Sequence, residues 1–383
     1  MTAADNKSQS ITSPKYYQVL ATYQIGNDAQ VTHTAMAADR IAFVSIAKST
    51  SRVECYDYNG RRTFQLEESG TDFTYAYAEL SDSGNVIVVD KNFGPEGVGV
   101  AVYDLQTNAI MFERQGIFAL SPSPNGRLFV NGYTETGGGC PFILRKDGTL
   151  VKELKEYRAN WVTRFVNDTV LALADSTSLN YYSALTGDLL RDDKLEGYGF
   201  WVAPIMRVLS SESKVVVYNS TIITIGSLDS GIEHKIECPD VIRQVIVSSD
   251  SEWMAVLLSK KDETNGYLRF ISSADPTLYV DTPQEEYLGN YTSTGFQPYD
   301  FVGNILAIGY PRLAGDSGIR DDIDYKTHLY EFNPKTKQVS KGRIIDGRIH
   351  LAKINPDGLM GLQQQAPHQA VMVYLGEFGS KLR

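Results

Sequence analysis

The chain has 383 residues, 42% of them hydrophobic, with 23 Tyr, 32 Gly and a formal charge of -10. That length exceeds a typical single domain, yet no Pro/Ser/Gly-rich linker or charge run divides it, and the Tyr- and Gly-rich composition favours strands and turns. The acidic balance argues against a general nucleic-acid binder, which draws on surplus Lys and Arg, and the isolated cysteines Cys55, Cys140 and Cys238 argue against structural zinc.

Residues 1–15, MTAADNKSQSITSPK, are polar and read as a flexible lead-in, leaving 16–383 as one domain. No stretch is long and apolar enough to span a membrane. The odd cysteine count tilts towards a reducing, cytoplasmic setting; a removed signal peptide would leave a periplasmic or extracellular location open.

Residues 16–25, YYQVLATYQI, read as a strand without a local partner. From there a unit recurs about every 45 residues. Its most legible part is an apolar second strand, starting at Arg40, Asn85, Arg127, Thr169, Lys214, Glu252, Asn304 and Leu359. Turn chemistry precedes these strands: SDSG at 81–84, SPNG at 123–126, SSES at 210–213, SSDS at 248–251 and NPDG at 355–358. Such residues bond their own backbone or accept positive φ, as a tight hairpin requires. A third strand follows, such as RVECYDY at 52–58 or GVAVYDL at 99–105; a second tight turn and a more polar fourth strand, such as RTFQLE at 62–67, complete the unit.

A four-stranded antiparallel meander repeated in this way is a propeller blade. The last unit, from His350 to Leu375, supplies only three strands, and residues 16–25 supply the missing one. The expectation is an all-β, eight-bladed β-propeller closed by its N-terminal strand, because an open ring would expose apolar strand edges. Seven blades with an extra edge strand is the alternative.

The turn SALTGD at 183–188 is similar to the A-x-x-x-T-G turn of quinoprotein repeats, and SPSPNGRLFV at 121–130 to the S-P-D-G-R turn of bacterial propellers. The chain thus resembles the quinoprotein-like and WD-repeat-like propeller superfamilies over residues 16–375. The Trp-Asp dipeptide of WD repeats is absent. A quinone dehydrogenase, which the quinoprotein resemblance would permit, stacks its cofactor against an adjacent cysteine pair that this chain lacks.

In a meander blade the turns joining strands one to two and three to four fall on one face, and the remaining connections on the other. The first set is short and polar. The second carries KNFGPEGVG at 91–99, TETGGG at 134–139, SKKDETNG at 259–266 and PRLAGDSGIRDDIDYK at 311–326. This elaborated face also holds Phe93, Tyr157, Trp161, Tyr198, Phe200, Trp201, Tyr287 and Tyr291, aromatics of the type that anchor partners. The expected function is a non-enzymatic scaffold binding a protein partner there.

The alternative is a small-ligand binder or a quinone- or calcium-dependent enzyme using the central channel. Asp316, Asp321, Asp322 and Asp324 supply carboxylates of the kind that hold calcium, but they do not match the D-x-D-x-D-G loop, and a solvated acidic loop is the ordinary fate of such a cluster. No other cofactor is expected. The five histidines are scattered, and neither a G-x-S-x-G elbow nor a phosphate-cradling glycine motif is present.

Overall fold

A computed structural model describes residues 18–377 except 25–29, 38, 48–49, 58, 71–73, 93–96, 118, 132, 135–138, 158–160, 199–203, 210–212, 249, 261–264, 286–298, 303–304, 312–324, 347, 356–357 and 367–368. The described residues form antiparallel sheets that follow one another along the chain. Sheet 1 comprises Gln30–Met36, Arg40–Ala47, Thr50–Asp57 and Arg62–Ser69; sheet 2 comprises Thr74–Leu80, Val86–Asn92, Val98–Asp104 and Ala109–Gln115. Sheet 3 is built from Leu120–Pro122, Leu128–Asn131, Phe142–Arg145 and Leu150–Glu153, and sheet 4 from Trp161–Phe165, Val170–Ala174, Ser178–Ser183 and Leu189–Lys194. Sheet 5 holds Ile205–Leu209, Lys214–Tyr218, Ile222–Ser227 and Gly231–Glu237, and sheet 6 holds Val241–Val247, Trp253–Ser259, Gly266–Ser272 and Tyr279–Asp281. Sheet 7 holds Tyr299–Val302, Ile305–Pro311, Tyr325–Asn333 and Gln338–Asp346. Arg348–Asn355, Gly358–Ala366 and Gln369–Glu377 form sheet 8, to which Gln18–Gln24 adds as a fourth strand, pairing antiparallel with Gln369–Glu377 from Gln18↔Tyr374 to Gln24↔Gln369.

One sheet departs from the four-strand unit. Tyr133–Thr134 leaves sheet 3 and pairs with the first strand of sheet 4, Tyr133 opposite Val162 and Thr134 opposite Trp161.

The burial of each strand follows its position in the unit. Second strands such as Trp253–Ser259 are buried almost continuously, and third strands such as Ser178–Ser183 nearly so, because neighbouring sheets cover both faces. Fourth strands such as Leu189–Lys194 alternate between half-buried and exposed. The core lies in the seams between sheets: Ala42, Val44 and Cys55 of sheet 1 pack with Ala78, Ile87 and Val89 of sheet 2, and Val162, Ala172 and Ala174 of sheet 4 pack with Met206, Val215 and Val217 of sheet 5. From sheet 1 to sheet 8, the first strand of each sheet lies against the first or second strand of its neighbour, so the first strands converge on an axis.

The turn face is interlocked. The Ser81, Ser123 and Ser248 hydroxyls accept the N–H groups of Val86 (3.2 Å), Leu128 (3.2 Å) and Trp253 (3.0 Å), closing their hairpins. Ser83 N–H then donates to the Pro124 carbonyl (3.0 Å), linking the turns of sheets 2 and 3, and Asn125 N–H donates to Asp168 Oδ1 (2.8 Å), linking sheet 3 to sheet 4. Gly126 shows why the residue type matters: its φ is +71°, and an added Cβ would stand 2.6 Å from Val86 Cγ2 in the preceding sheet. Among the described residues no helix is long and apolar enough to cross a membrane.

Candidate functional site

The structure corrects the reading of two aromatics as exposed anchors. Trp161 opens the first strand of sheet 4 and is 0% exposed, packed among Leu128, Val130, Ile143 and Leu171, with its indole N–H donating to the Gly139 carbonyl (3.2 Å). Tyr198 is 7% exposed, its hydroxyl bonded to the Val217 carbonyl (2.7 Å) and to Thr224 Oγ1 (3.1 Å). Tyr157 is half-buried; its hydroxyl meets that of Tyr182 at 2.9 Å and accepts a bond from the Asn180 amide. In each case a large ring entering the next sheet gains more by burial than by exposure, and its polar tip finds a partner inside. Phe93, Phe200, Trp201, Tyr287 and Tyr291 lie outside the described residues, as do Asp316, Asp321, Asp322 and Asp324.

The polar chemistry that the structure brings together sits on the first strands. In sheets 1 to 7 one position pairs with the third residue of the second strand: Ala35↔Ala42, Glu79↔Val88, Ser121↔Val130, Arg164↔Ala172, Arg207↔Val216, Ile246↔Ala255 and Asp300↔Ala307. Every cross-strand partner is Ala or Val. The cross-strand partners of Glu79, Arg164 and Ile246 belong to the side of the sheet that packs on the following one, since Val88 shares a core cluster with Leu120 and Phe129, Ala172 with Met206, and Ala255 with Phe301.

Glu79 is half-buried. Its carboxylate accepts the Ser121 hydroxyl across the seam (3.0 Å), and burial pushes its pKa up to about 6, with Asp90 and Asp82 adding and Arg164 opposing. Glu79 in sheet 2 thus senses Arg164 in sheet 4, two sheets on, a coupling that convergence of the first strands on the axis makes possible. Asp90, cross-strand from Tyr77, accepts the Ala119 N–H (3.0 Å) through Oδ2, and burial raises it to about 6 as well. His33 packs against Tyr77 with ring centroids 4.1 Å apart and planes tilted by 39°, and burial lowers its pKa to about 4 against the pull of a hydrogen bond to the Ala78 backbone.

Three successive sheets carry an arginine on the first strand, each half-buried. Arg164 Nη1 donates to the Thr163 carbonyl (2.9 Å) and Arg207 Nη1 to the Met206 carbonyl (3.1 Å), the same bond at the same register. Arg243 occupies a bulge between Ile242 and Gln244 and donates from Nε to Ser259 Oγ (2.6 Å), at the loop end of the second strand. Bulges re-aim side chains and recur beside functional sites. These residues were missed in sequence; the available signal was a charge inside an otherwise apolar first strand, as in TYAYAEL, WVTRF and IMRVL.

No protein-family model matches the chain, and no curated protein matches it in sequence. Among solved structures, a chain from a crystal structure of a mitotic checkpoint complex aligns with a TM-score of 0.51 at 12% identity, covering 80% of this chain and 95% of that one. Hsv2 of Kluyvelomyces marxianus aligns with a TM-score of 0.50 at 10% identity, covering 82% and 98%. At such identities the likeness concerns the fold alone: the chain is an all-β propeller built from repeated four-stranded antiparallel sheets.

Proposed function

We propose that this propeller is a non-enzymatic interaction scaffold of eight blades, spanning residues 16–383 as one domain, that grips a protein partner through the loops joining second to third strands and successive blades. The distribution of long connections carries the reading. Residues 93–97, 260–265 and 312–324, and the stretch between Asn131 and Phe142, join second to third strands in sheets 2, 6, 7 and 3, whereas 48–49, 175–177 and 219–221 do so in sheets 1, 4 and 5. Closure through the Gln18–Gln24 pairing would set sheets 2 and 3 opposite sheets 6 and 7, two raised lobes across the axis. The opposite face is engaged by its own turn-to-turn hydrogen bonds. Loops on a rigid scaffold are where binding generally resides, and one structural neighbour comes from an assembly, the mitotic checkpoint complex.

The anchors in this reading are Phe93, Phe200, Trp201, Tyr287 and Tyr291, on connections of the elaborated face. Affinity purification followed by competition with W201A/Y287A and with a chain shortened within 312–324 tests it. The expected result is at least a tenfold loss of partner retention with thermal stability unchanged; undiminished retention by both variants would remove the reading.

A further inference from the structure

We propose that Arg164, Arg207 and Arg243 form a carboxylate-binding sector along the axis, entered from the loop face, which receives an extended acidic segment of a protein partner. The inference rests on the interaction role proposed above for the nature of the ligand, and on separate residues for the site.

The arginines sit on first strands of three successive sheets, where the strands converge. Guanidinium groups present paired donors that match carboxylate geometry. Among the described residues Arg207 has no ion pair, and its guanidinium bonds the carbonyl of its own strand neighbour. Arg243 bonds a serine hydroxyl, not a carboxylate. Arg164 interacts electrostatically with Glu79. This is a cationic sector inside a protein whose formal charge is -10.

Position supplies the order of contact. Arg243 lies towards the loop end of its strand, three residues before Ile246, which shares the register of Arg207. With a strand rise of about 3.3 Å, and allowing for the bulge, Arg243 stands roughly 7–10 Å nearer the rim than Arg207. An extended segment repeats its side chains on one side every two residues, about 7 Å. Acidic residues at alternate positions of such a segment would meet Arg243 first and Arg207 next.

A resident carboxylate decides between anions. Glu79 shares the row. A dianionic phosphate is repelled by it about twice as strongly as a carboxylate, so the sector suits monoanions presented in series.

The test is fluorescence anisotropy of the full chain with a labelled peptide bearing Glu at alternate positions, beside the same peptide with Gln and one with phosphoserine. The expected result is saturable binding of the Glu peptide alone, weakened at least tenfold in Arg207→Gln and in Arg243→Gln with circular dichroism and thermal stability unchanged. Glu79→Gln removes a competing carboxylate from the row and should tighten it. Because Arg164 also acts electrostatically on Glu79, Arg164→Gln is tested in the Glu79→Gln background, where its loss should weaken binding. Equal binding of the Glu and Gln peptides, no binding of the Glu peptide, or undiminished binding in the double Arg207/Arg243 variant overturns the proposal, as does binding of the phosphoserine peptide alone. Partner retention lost in the loop variants while the Glu peptide still binds would leave both readings standing on their own residues, whereas peptide failure with loop-dependent retention intact removes the sector and spares the scaffold.

Discussion

The crossings between sheets and the first strands that follow them lie side by side in the chain, yet they use their conspicuous residues in opposite ways. Trp161 and Tyr198 are large rings near loops, and both disappear into the core. Arg164 lies three residues beyond Trp161 on one strand and stays half-buried near the axis. The contrast teaches that in this fold a ring at a crossing clasps the next sheet, while a charge within the first strand marks the surface around the axis.

Trp161→Ala breaks the comparison most severely. Emptying a fully enclosed indole site should cost about 3–5 kcal/mol, read as a shift in the urea midpoint; a loss below about 1 kcal/mol would restore Trp161 to the candidate contact surface.

The next effect sharpens the axial side. Glu79 and Asp90 stand near 6 in the folded chain, above their ordinary 4.5 and 3.8, so each holds its proton more tightly when folded. Their contribution to stability is complete below about pH 4 and is lost as pH rises through about 6. His33 stands near 4, below its ordinary 6.5, so its contribution is present above that value and is lost as pH falls through about 4. Each shift corresponds to about 2–3 kcal/mol. In His33→Gln, chemical denaturation should show stability rising from about pH 7.5 to 4.5, and in the double Glu79→Gln/Asp90→Asn variant falling over the same range. Identical pH profiles in the two variants would contradict the burial assigned to these groups.

Gly126→Ala probes the turn face that both regions share. Positive φ and a Cβ pressed on Val86 should together cost about 2 kcal/mol, seen as a lower melting temperature. Arg207→Gln should change stability least, within about 0.5 kcal/mol, because Arg207 has no ion pair among the described residues; a large loss would reassign Arg207 to a structural role.

Local signals made the unit legible. Each apolar run beginning at Arg40, Asn85, Arg127, Thr169, Lys214, Glu252, Asn304 or Leu359 overlaps the second strand of a sheet. Ser81, Ser123 and Ser248 act where their turn chemistry put them, since such bonds span only five residues. The row from Ala35 to Asp300 was not legible, because it exists only through registers within sheets and convergence between them. Burial of Trp161 was equally hidden: its environment is assembled from Leu128, Ile143 and Leu171, contributed by two sheets. The Tyr133–Thr134 pairing escaped because two residues carry no periodicity.

That short pairing stitches neighbouring sheets across their boundary. The first strand of sheet 4 is hydrogen-bonded on one side to its own hairpin and on the other to the Tyr133–Thr134 segment that follows the second strand of sheet 3, while the Thr163 hydroxyl holds the Asn131 carbonyl. Sheets 3 and 4 therefore cannot peel apart without surrendering main-chain bonds, and native-state hydrogen exchange should register them as a single cooperative opening unit. Tension applied to the connection after Thr134 would reach the strand bearing Arg164 with no slack between.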